Sequence, residues 1–346
     1  MSGMRATTIH GPGDIRLSEV PDPTLLEPTD AIVRVTSSCI CGSDLWPYRG
    51  ENPITEGATI GHECIGVVEE VGSEVRDLRV GDFVVVPFDH CDGTCAHCLA
   101  GVHSACVNLG MTTSGQGEYA RVVHADGSLV RVNGVGDGGV PDPALVPSLM
   151  ALSDVMPTGW HAAVAAGVKA GDTVVVVGDG AVGLCGVLAA STMGAEKVVV
   201  MSRHEPRQRI ARDFGATHVV AERGKEGAAA IKEITGGIGA DAVLECVGTG
   251  QAVGTAFAVA RPGSTVGFVG VPHGVELPVG RMFSKNVGLA GGMAPVRRYL
   301  PDLLDLVLAG TIDPGRVFDL TLPLDEVAEG YRAMDERRAI KVLLQP

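Results

Sequence analysis

The chain has 346 residues, which is too long for one ordinary hydrophobic core and predicts two or three domains. Its formal net charge of −14 argues against a nucleic-acid-binding protein, because such surfaces depend on clustered Lys and Arg. The sequence contains no run of about 18 apolar residues and no signal peptide, so we expect a cytoplasmic protein without membrane contact. Nine cysteines in such a chain favour reduced thiols or metal ligands over disulfides.

The chain from about residue 4 to 150 has the pattern of an all-β domain with long loops. Short apolar stretches are interrupted every few residues by Gly, Pro and Asp, which end strands and form turns. The predicted strands include residues 31–35, 66–70, 83–86 and 129–132.

The pattern changes near residue 155. The sequence TVVVV at 173–177 precedes a predicted helix at 181–193, and KVVVM follows at 197–201. Continuously apolar strands of this kind are typical of a parallel sheet that is buried on both faces. Predicted strands and helices then alternate down to residue 292, which indicates a doubly wound Rossmann domain and an α/β fold class. The strands cover residues 217–220, 242–246, 265–269 and 287–290, and the helices cover 208–214, 227–235 and 251–260.

Residues 293–346 form a third segment. It carries a predicted helix at 301–309, an amphipathic helix that begins near Pro323 and Asp325, and the closing strand IKVLL.

Three glycines in VVVVGDGAVG, namely Gly178, Gly180 and Gly183, directly follow a predicted strand and open a helix. In this position the first permits a tight turn, the second lets a pyrophosphate approach the backbone, and the third lets helix and strand pack closely. The pattern therefore predicts a dinucleotide site. A glycine-rich turn without a ligand is the alternative.

The end of the second Rossmann strand predicts which dinucleotide binds. An Asp or Glu usually stands there and binds the 2′-hydroxyl of NAD, but this chain has Ser202 and Arg203, with Arg207 one turn on. A hydroxyl and guanidinium groups suit a 2′-phosphate, which predicts NADP(H). Alternatively, the arginines are only solvated charges at the start of a helix.

A loop at residues 91–106 is rich in thiols. Cys95, Cys98 and Cys106 have spacing that suits a closed tetrahedral structural zinc site. The fourth ligand is either Asp92, which the spacing favours, or Cys91, whose thiolate is the softer ligand. Reduced thiols without metal are the alternative to a zinc site.

A second set of residues is dispersed along the chain: Cys41 in SSCICGSDLW, His62 and Glu63 in IGHECIGVV, and Asp154 in ALSDVMPTGW. Taken alone, Cys41 is compatible with a small buried apolar residue and His62 with a core histidine. Together, Cys41, His62 and Asp154 offer a thiolate, an imidazole and a carboxylate, which is a three-ligand set for a catalytic zinc with one open position.

The run GHExxGxxxxxGxxV is met in full by Gly61, His62, Glu63, Gly66, Gly72 and Val75. With it, the chain resembles the zinc-dependent medium-chain alcohol dehydrogenases over essentially its whole length. The resemblance implies a GroES-like catalytic domain at residues 1–154, a Rossmann domain at 155–292, and a segment at 293–346 that returns to the catalytic domain. Asp154 in place of a second Cys, and the Ser-Arg pair after the second strand, are similar to the NADP-dependent secondary-alcohol branch.

The resemblance also implies residue roles. Cys41, His62 and Asp154 would bind the catalytic zinc, and Glu63 would be an outer or transient ligand. Ser43 would pass the substrate proton, Phe88 would line the substrate pocket, and Lys341 would lie near the cofactor pyrophosphate.

This chain departs from many relatives at Trp46, where they have a His that completes a proton relay. Indole cannot accept that proton. We therefore expect the relay to run from Ser43 through a ribose hydroxyl and water, or through a substitute group, beside a more aromatic and smaller pocket.

These features predict a zinc-dependent enzyme that transfers hydride between NADP(H) and a small alcohol, aldehyde or ketone. A polyol or sugar dehydrogenase and a zinc-free quinone or enoyl reductase are alternatives within the superfamily. A zinc-ribbon binding module or a structural protein is the alternative outside it. A homodimer or homotetramer is expected by analogy, with residues 287–290 at a sheet edge as the contact.

Overall fold

The computed structural model describes residues 3–135 and 139–346. Its chain contacts define two compact units, one made of Met1–Asp154 with Pro295–Pro346 and the other of Val155–Ala294. Within the described ranges, no helix is both long enough and apolar enough to cross a membrane.

The first unit is built mainly from short strands. Its first part contains β1 (Gly3–Gly11), β2 (Asp14–Pro21), β3 (Ala31–Cys39), α1 (Leu45–Tyr48), β4 (Ala58–Thr59), β5 (Cys64–Val71), β6 (Phe83–Val86), β7 (Asp89–His90), α2 (Ala96–Leu99), β8 (Gly110–Met111), β9 (Tyr119–Val122), α3 (Ala125–Ser128), β10 (Val130–Arg131) and α4 (Val146–Ala151).

The second unit alternates helices and strands. It contains α5 (Val155–Ala166), β11 (Thr173–Val177), α6 (Ala181–Thr192), β12 (Lys197–Met201), α7 (Glu205–Asp213), β13 (His218–Val220), α8 (Gly224–Ile234), β14 (Ala240–Glu245), α9 (Gly250–Val259), β15 (Ala260–Phe268), α10 (Val279–Lys285) and β16 (Gly288–Gly291). The chain then returns to the first unit with α11 (Val296–Leu308), β17 (Leu320–Pro323), α12 (Val327–Asp335) and β18 (Val342–Gln345).

The main sheet of the first unit has the order β10-β6-β5-β3-β18-β17, and β9 also pairs with β3. Valines of β3, β5 and β6 fill its core, because successive residues of a strand face opposite sides. Two registers matter for the site. Ser38 of β3 lies opposite Cys64 of β5, and Cys39 lies opposite Leu343 of β18. The residues just after β3, just before β5 and just before β18 therefore lie close together.

Helix α11 corrects one prediction. We expected a helix that begins at Pro301, because proline is favourable in the first turn. The observed helix begins at Val296, and Pro301 lies inside it. The earlier turn adds Val296, Tyr299 and Leu300 to the buried stripe that Leu303, Leu304 and Val307 continue. Burial of this apolar stripe offsets the backbone hydrogen bond that proline removes.

The second unit contains a six-stranded sheet in the order β13-β12-β11-β14-β15-β16. Every neighbouring pair is parallel. The valines of β11 and β12 are buried, as their continuous apolar runs predict. The predicted doubly wound parallel sheet is confirmed. Helix α10 was not predicted, because its sequence VGRMFSK lacks a clear apolar period.

Candidate metal and cofactor sites

Four dispersed residues converge in the first unit. Ligand atoms of Cys41, His62, Glu63 and Asp154 all lie within 4.8 Å of one another. The register between β3 and β5 brings the first three together, and Asp154 follows α4. Three of these residues are buried, and His62 is half-buried. A thiol, an imidazole and carboxylates are ligand types that zinc binds, so this donor set fits a zinc ion.

The side chains of this cluster also contact one another directly. Cys41 Sγ and His62 Nε2 each lie 3.5 Å from Asp154 Oδ2. Burial, with the charges of Glu63 and Asp154, raises the pKa of the Cys41 thiol to about 11. Burial alone would lower the pKa of His62, but the Asp44 carboxylate and Cys41 raise it well above its ordinary value. The cluster therefore favours positive charge, and a bound cation would displace these protons.

Asp44, which is not among the predicted site residues, orients the histidine. Its Oδ1 lies 3.3 Å from His62 Nδ1, and its Oδ2 accepts a hydrogen bond of 3.0 Å from the backbone N–H of Cys41. Nδ1–H then donates to Asp44, which leaves the Nε2 lone pair free for a metal. The signal was available, because a metal-binding His needs an acceptor for its other nitrogen and Asp44 stands three residues after Cys41.

A longer chain of hydrogen bonds supports Asp44. The Gln116 Nε2 amide donates to Asp44 Oδ2 at 3.1 Å, and the buried Tyr331 hydroxyl donates to Gln116 Oε1 at 3.1 Å. Gln116 and Tyr331 are far from Asp44 in sequence, so no local pattern could have revealed them. Gln116 holds the Asp44 oxygen that does not face His62, and Tyr331 holds Gln116.

Glu63, a member of the cluster, forms a buried ion pair with Lys341. Lys341 Nζ lies 2.8 Å from Glu63 Oε1 and donates to the carbonyl oxygen of Ile40 at 3.2 Å. Both side chains are almost fully buried, and the Cys39 thiol donates to Glu63 Oε2 at 2.9 Å. The pairing of β18 with β3 brings the Lys341 ammonium to Glu63, a contact that the sequence did not indicate. The contact of Lys341 with a pyrophosphate stays a prediction.

Three further predicted site residues are Ser43, Trp46 and Phe88, and Phe88 contacts a member of the metal-ligand cluster. Ser43 lies in a 3-10 turn two residues after Cys41 and is half-buried. Trp46 lies in α1 and is also half-buried. The Phe88 ring meets the His62 ring edge-on, with centroids 6.2 Å apart. Phe88 therefore forms an apolar wall next to a proposed ligand.

The thiol-rich loop forms a second cluster. Ligand atoms of Asp92, Cys95, Cys98 and Cys106 all lie within 4.8 Å of one another. Cys95 Sγ lies 3.5 Å from Cys98 Sγ and 3.9 Å from Cys106 Sγ. The Cys91 thiol instead donates to the Gly127 carbonyl oxygen at 3.0 Å. None of the nine cysteines, all of which lie in the described ranges, forms a disulfide.

The glycine-rich turn of the second unit connects β11 with α6. Gly178 has a φ of +121°, which favours glycine. A Cβ on Gly183 would lie 2.2 Å from the Gly178 carbonyl oxygen, whereas a Cβ on Gly180 would meet nothing within 4 Å. The turn thus requires glycine for its own geometry and leaves open space beside Gly180. This backbone fits a dinucleotide pyrophosphate.

The side chains beside this turn make contacts that the sequence did not indicate. Ser202 is fully buried, and its hydroxyl donates to Asp179 Oδ2 at 2.8 Å. Arg207 Nη1 lies 3.3 Å from Asp179 Oδ1. Arg203 is exposed and makes no ion pair within residues 3–135 and 139–346. Two of the three predicted residues thus contact Asp179, the residue between Gly178 and Gly180.

Comparison with known proteins identifies the family. Residues 27–134 match the alcohol dehydrogenase GroES-like domain, and residues 181–309 match the zinc-binding dehydrogenase family. A protein of Mycobacterium tuberculosis, described as a probable zinc-binding alcohol dehydrogenase, is 36% identical over 336 residues, which cover 95% of this chain and 84% of that protein. The chain belongs to the zinc-dependent medium-chain alcohol dehydrogenase family.

Solved structures of this family share the whole fold. Alcohol dehydrogenase TADH from Thermus sp. ATN1 has a TM-score of 0.90 and 32% identity, with 99% of each chain covered. A protein of Sinorhizobium meliloti, described as a zinc-binding dehydrogenase and solved with NADP bound, has a TM-score of 0.82 and 26% identity, with 100% of each chain covered. The predicted combination of a GroES-like domain and a Rossmann domain is confirmed.

Membership in the zinc-dependent medium-chain alcohol dehydrogenases also decides between classes of function. The prediction of an oxidoreductase is confirmed, and the zinc-ribbon module and the structural protein are excluded as accounts of the whole chain.

Proposed function

We propose that this alcohol dehydrogenase uses a catalytic zinc and NADP(H) to transfer hydride to or from a small alcohol, aldehyde or ketone. The observation that carries the proposal is the convergence of Cys41, His62 and Asp154 within 4.8 Å. A zinc-free quinone or enoyl reductase would have no need for that set.

In the proposed mechanism, Cys41, His62 and Asp154 hold the zinc. The metal supplies a Lewis acid that lowers the pKa of an alcohol, and the nicotinamide carries the hydride. Asp44 holds the His62 ring in the orientation that keeps Nε2 available. Glu63 brings a further carboxylate to the cluster, and its charge is balanced by Lys341.

Ser43 is the residue that we propose for proton transfer. Its hydroxyl can both accept and donate a proton, and it stands two residues from Cys41. The Trp46 indole cannot accept a proton. The proton must therefore leave Ser43 by another route, and we propose water as its acceptor. Phe88 and Trp46 would line an apolar pocket that limits the access of water to the reacting carbon.

We propose that Asp92, Cys95, Cys98 and Cys106 hold a structural zinc. The closeness of their ligand atoms supports Asp92 over Cys91 as the fourth ligand, because the Cys91 thiol is engaged by Gly127. Burial works against ionisation, but hydrogen bonds from the backbone N–H groups of Cys95 and Thr94 hold the pKa of Asp92 below its usual value. A carboxylate that is ionised at neutral pH is a suitable zinc ligand.

The choice of NADP(H) is supported by the cations Arg203 and Arg207 and by Ser202, which stands where an NAD-binding domain usually has an acid. The bound NADP in the Sinorhizobium meliloti relative is consistent with it. We further propose a catalytic domain at residues 1–154, a cofactor domain at 155–292 and a returning segment at 293–346, all in a homodimer or homotetramer. The edge position of β16 in its sheet supports that strand as a contact.

A substrate screen tests the proposed function. Purified protein would be assayed for NADPH oxidation with aldehydes, ketones and sugars, with and without a zinc chelator, and its zinc content would be measured. We expect chelator-sensitive reduction of an aldehyde or ketone and about two zinc ions per chain. Preference for sugars or polyols would favour the dehydrogenases of those substrates. Activity that survives both chelation and Cys41→Ser would favour a zinc-free reductase.

A further inference from the structure

We propose that Asp179 sets how the enzyme divides its binding between NADPH and NADH. The inference rests on the proposed use of a nicotinamide dinucleotide and refines the proposed preference for NADP(H). Asp179 lies in the glycine-rich turn, whereas the residues predicted to select the cofactor all follow β12.

The fold brings Asp179 to the end of β12. Strands β11 and β12 are parallel neighbours, and Val177 lies opposite Met201. The chain leaves β11 through Gly178, and the next side chain reaches across to the residue that follows Met201. As a result Asp179 Oδ2 accepts the Ser202 hydroxyl at 2.8 Å. This is the place where dinucleotide-binding domains present an acid to the adenosine ribose.

Asp179 is held firmly and is nearly buried. It is 7% exposed, and the Arg207 guanidinium approaches both its Oδ1, at 3.3 Å, and its backbone carbonyl oxygen, at 3.4 Å. The Arg207 side chain is itself only 15% exposed. A charge that is shielded from water in this way acts strongly on other charges nearby.

This arrangement suits a 2′-hydroxyl. A carboxylate offers about four acceptor positions, and Ser202 and Arg207 occupy two of those on Asp179. A ribose hydroxyl can therefore donate to Asp179 as it does to the usual acid at the end of the second strand. Asp179, in the glycine-rich turn, thus supplies the carboxylate that is missing at Ser202.

The same carboxylate opposes a 2′-phosphate. The Ser202 proton is already committed to Asp179, and the charge of Arg207 is partly balanced by it. Arg203, exposed and without an ion pair in the described residues, is the cation that remains for a phosphate. We therefore expect the enzyme to bind both cofactors, with Arg203 and Arg207 favouring NADPH and Asp179 opposing it.

The test is the change Asp179→Asn in the full-length protein, with direct binding as the readout. NADPH and NADH would be titrated separately while nicotinamide fluorescence is followed. Asn keeps the shape and one acceptor but removes the charge, so we expect the ratio of the Kd for NADH to the Kd for NADPH to rise by roughly tenfold or more. Arg207→Ala should move the ratio in the opposite direction, because it removes a cation and leaves Asp179.

Glu233→Gln is the matched control. Glu233 is an exposed carboxylate in the last turn of α8, in the same unit, and the change removes the same formal charge. It should leave the ratio of the two Kd values unchanged. If Asp179→Asn lowers the melting temperature markedly, the same titrations are made with Asp179→Ser, which also removes the charge and supplies a hydroxyl oxygen that can accept a hydrogen bond.

Two outcomes would overturn the inference. Equal changes in both Kd values would mean that Asp179 does not discriminate. A greater loss of NADPH than of NADH binding would mean that Asp179 serves only to position Arg207. A wild-type protein that binds neither dinucleotide would instead refute the proposed function, so the two failures are distinguishable.

Discussion

The two metal-ligand clusters of the first unit meet the same geometric condition but are built in opposite ways. In each, four ligand atoms lie within 4.8 Å of one another. Asp92, Cys95, Cys98 and Cys106 belong to one loop, whereas the cluster around Cys41 is collected from three separate segments. The loop cluster is visible in the spacing of a short sequence. The dispersed cluster depends on the sheet registers that bring its segments together.

Their surroundings differ as well. The dispersed cluster is buried and has internal supports, with Asp44 on His62 and Lys341 on Glu63. In the loop cluster, Asp92 and Cys95 are half-buried, and the carboxylate is held by backbone N–H groups of the loop itself. We infer that the first cluster is integrated with the core, so that changes there affect both chemistry and folding, and that the second is largely autonomous.

The largest expected effect comes from removing a ligand of the dispersed cluster. Cys41→Ser should lower kcat/KM by at least about 1000-fold, because the metal that acts on the substrate loses its thiolate. Zinc content should fall from about two to about one per chain. Steady-state kinetics and atomic absorption measure the two quantities. Cys64→Ala, a buried cysteine outside the cluster, is the control, and near-normal activity of Cys41→Ser would contradict the proposed site.

The buried ion pair tests whether the dispersed cluster is part of the core. Burial alone would lower the pKa of Lys341, but Cys39, Glu63 and Cys41 raise it well above its ordinary value, so the ammonium stays charged. Lys341→Met leaves the Glu63 carboxylate buried and unpaired, which should cost about 3–5 kcal/mol of unfolding free energy. Urea denaturation provides the measurement.

Two further variants show whether the loss of stability comes from the unpaired buried charge. Lys341→Met combined with Glu63→Gln should recover part of the loss, since no uncompensated charge remains. Arg16→Met breaks an exposed pair with Asp14 and should change stability little. A Lys341→Met protein as stable as the wild type would show that Glu63 does not depend on this partner.

His90, at the base of the thiol-rich loop, should make the stability of the folded chain depend on pH. His90 lies opposite Gly110 where β7 and β8 bracket the loop. Its Nδ1 accepts from the Val123 N–H and its Nε2 lies 2.7 Å from Thr112 Oγ1, so the neutral ring is satisfied. Burial, with the charges of His124 and Arg121, lowers the pKa of His90 from 6.5 to about 4.

The sign of this effect follows from proton binding. Between pH 6.5 and 4, His90 is protonated in the unfolded chain but stays neutral in the folded chain. The free energy of unfolding therefore falls as the pH falls through that range. The loss should reach about 3 kcal/mol below pH 4. His90→Gln should show a shallower decline in urea unfolding across this range, and the exposed His97→Gln should follow the wild type. Equal slopes for His90→Gln and wild type would contradict the assignment.

The sequence predicted local features better than the contacts between distant segments. The apolar runs of β11 and β12 and the intervening GDGAVG turn foretold the parallel sheet, because each signal lies within a few residues. The partners of Lys341, and of Asp44 through Gln116 and Tyr331, depend on registers and long-range packing that no local pattern records. Asp179 is an intermediate case, since its role depends on two adjacent strands.

The smallest expected effect is a change in the zinc affinity of the loop, which tests whether Asp92 or Cys91 is its fourth ligand. Asp92 Oδ1 accepts two backbone N–H groups and its Oδ2 accepts the Asn108 amide, which leaves one acceptor position on Oδ2 for a metal. The Cys91 thiol would have to leave the Gly127 carbonyl oxygen, and burial raises its pKa to about 11, which opposes the thiolate form.

Asp92→Asn should therefore weaken zinc binding in the loop by roughly tenfold to a hundredfold, whereas Cys91→Ser should leave it nearly unchanged. Titration with a competing chelator measures this affinity, and Cys95→Ser, which removes an undisputed thiol, sets the scale for full loss. In all three variants kcat/KM should stay close to the wild-type value, because the loop holds no residue of the dispersed cluster. If Cys91→Ser released the zinc and Asp92→Asn retained it, the loop would be a four-thiolate site, and the shared geometry of the two clusters would reflect different ligand chemistry.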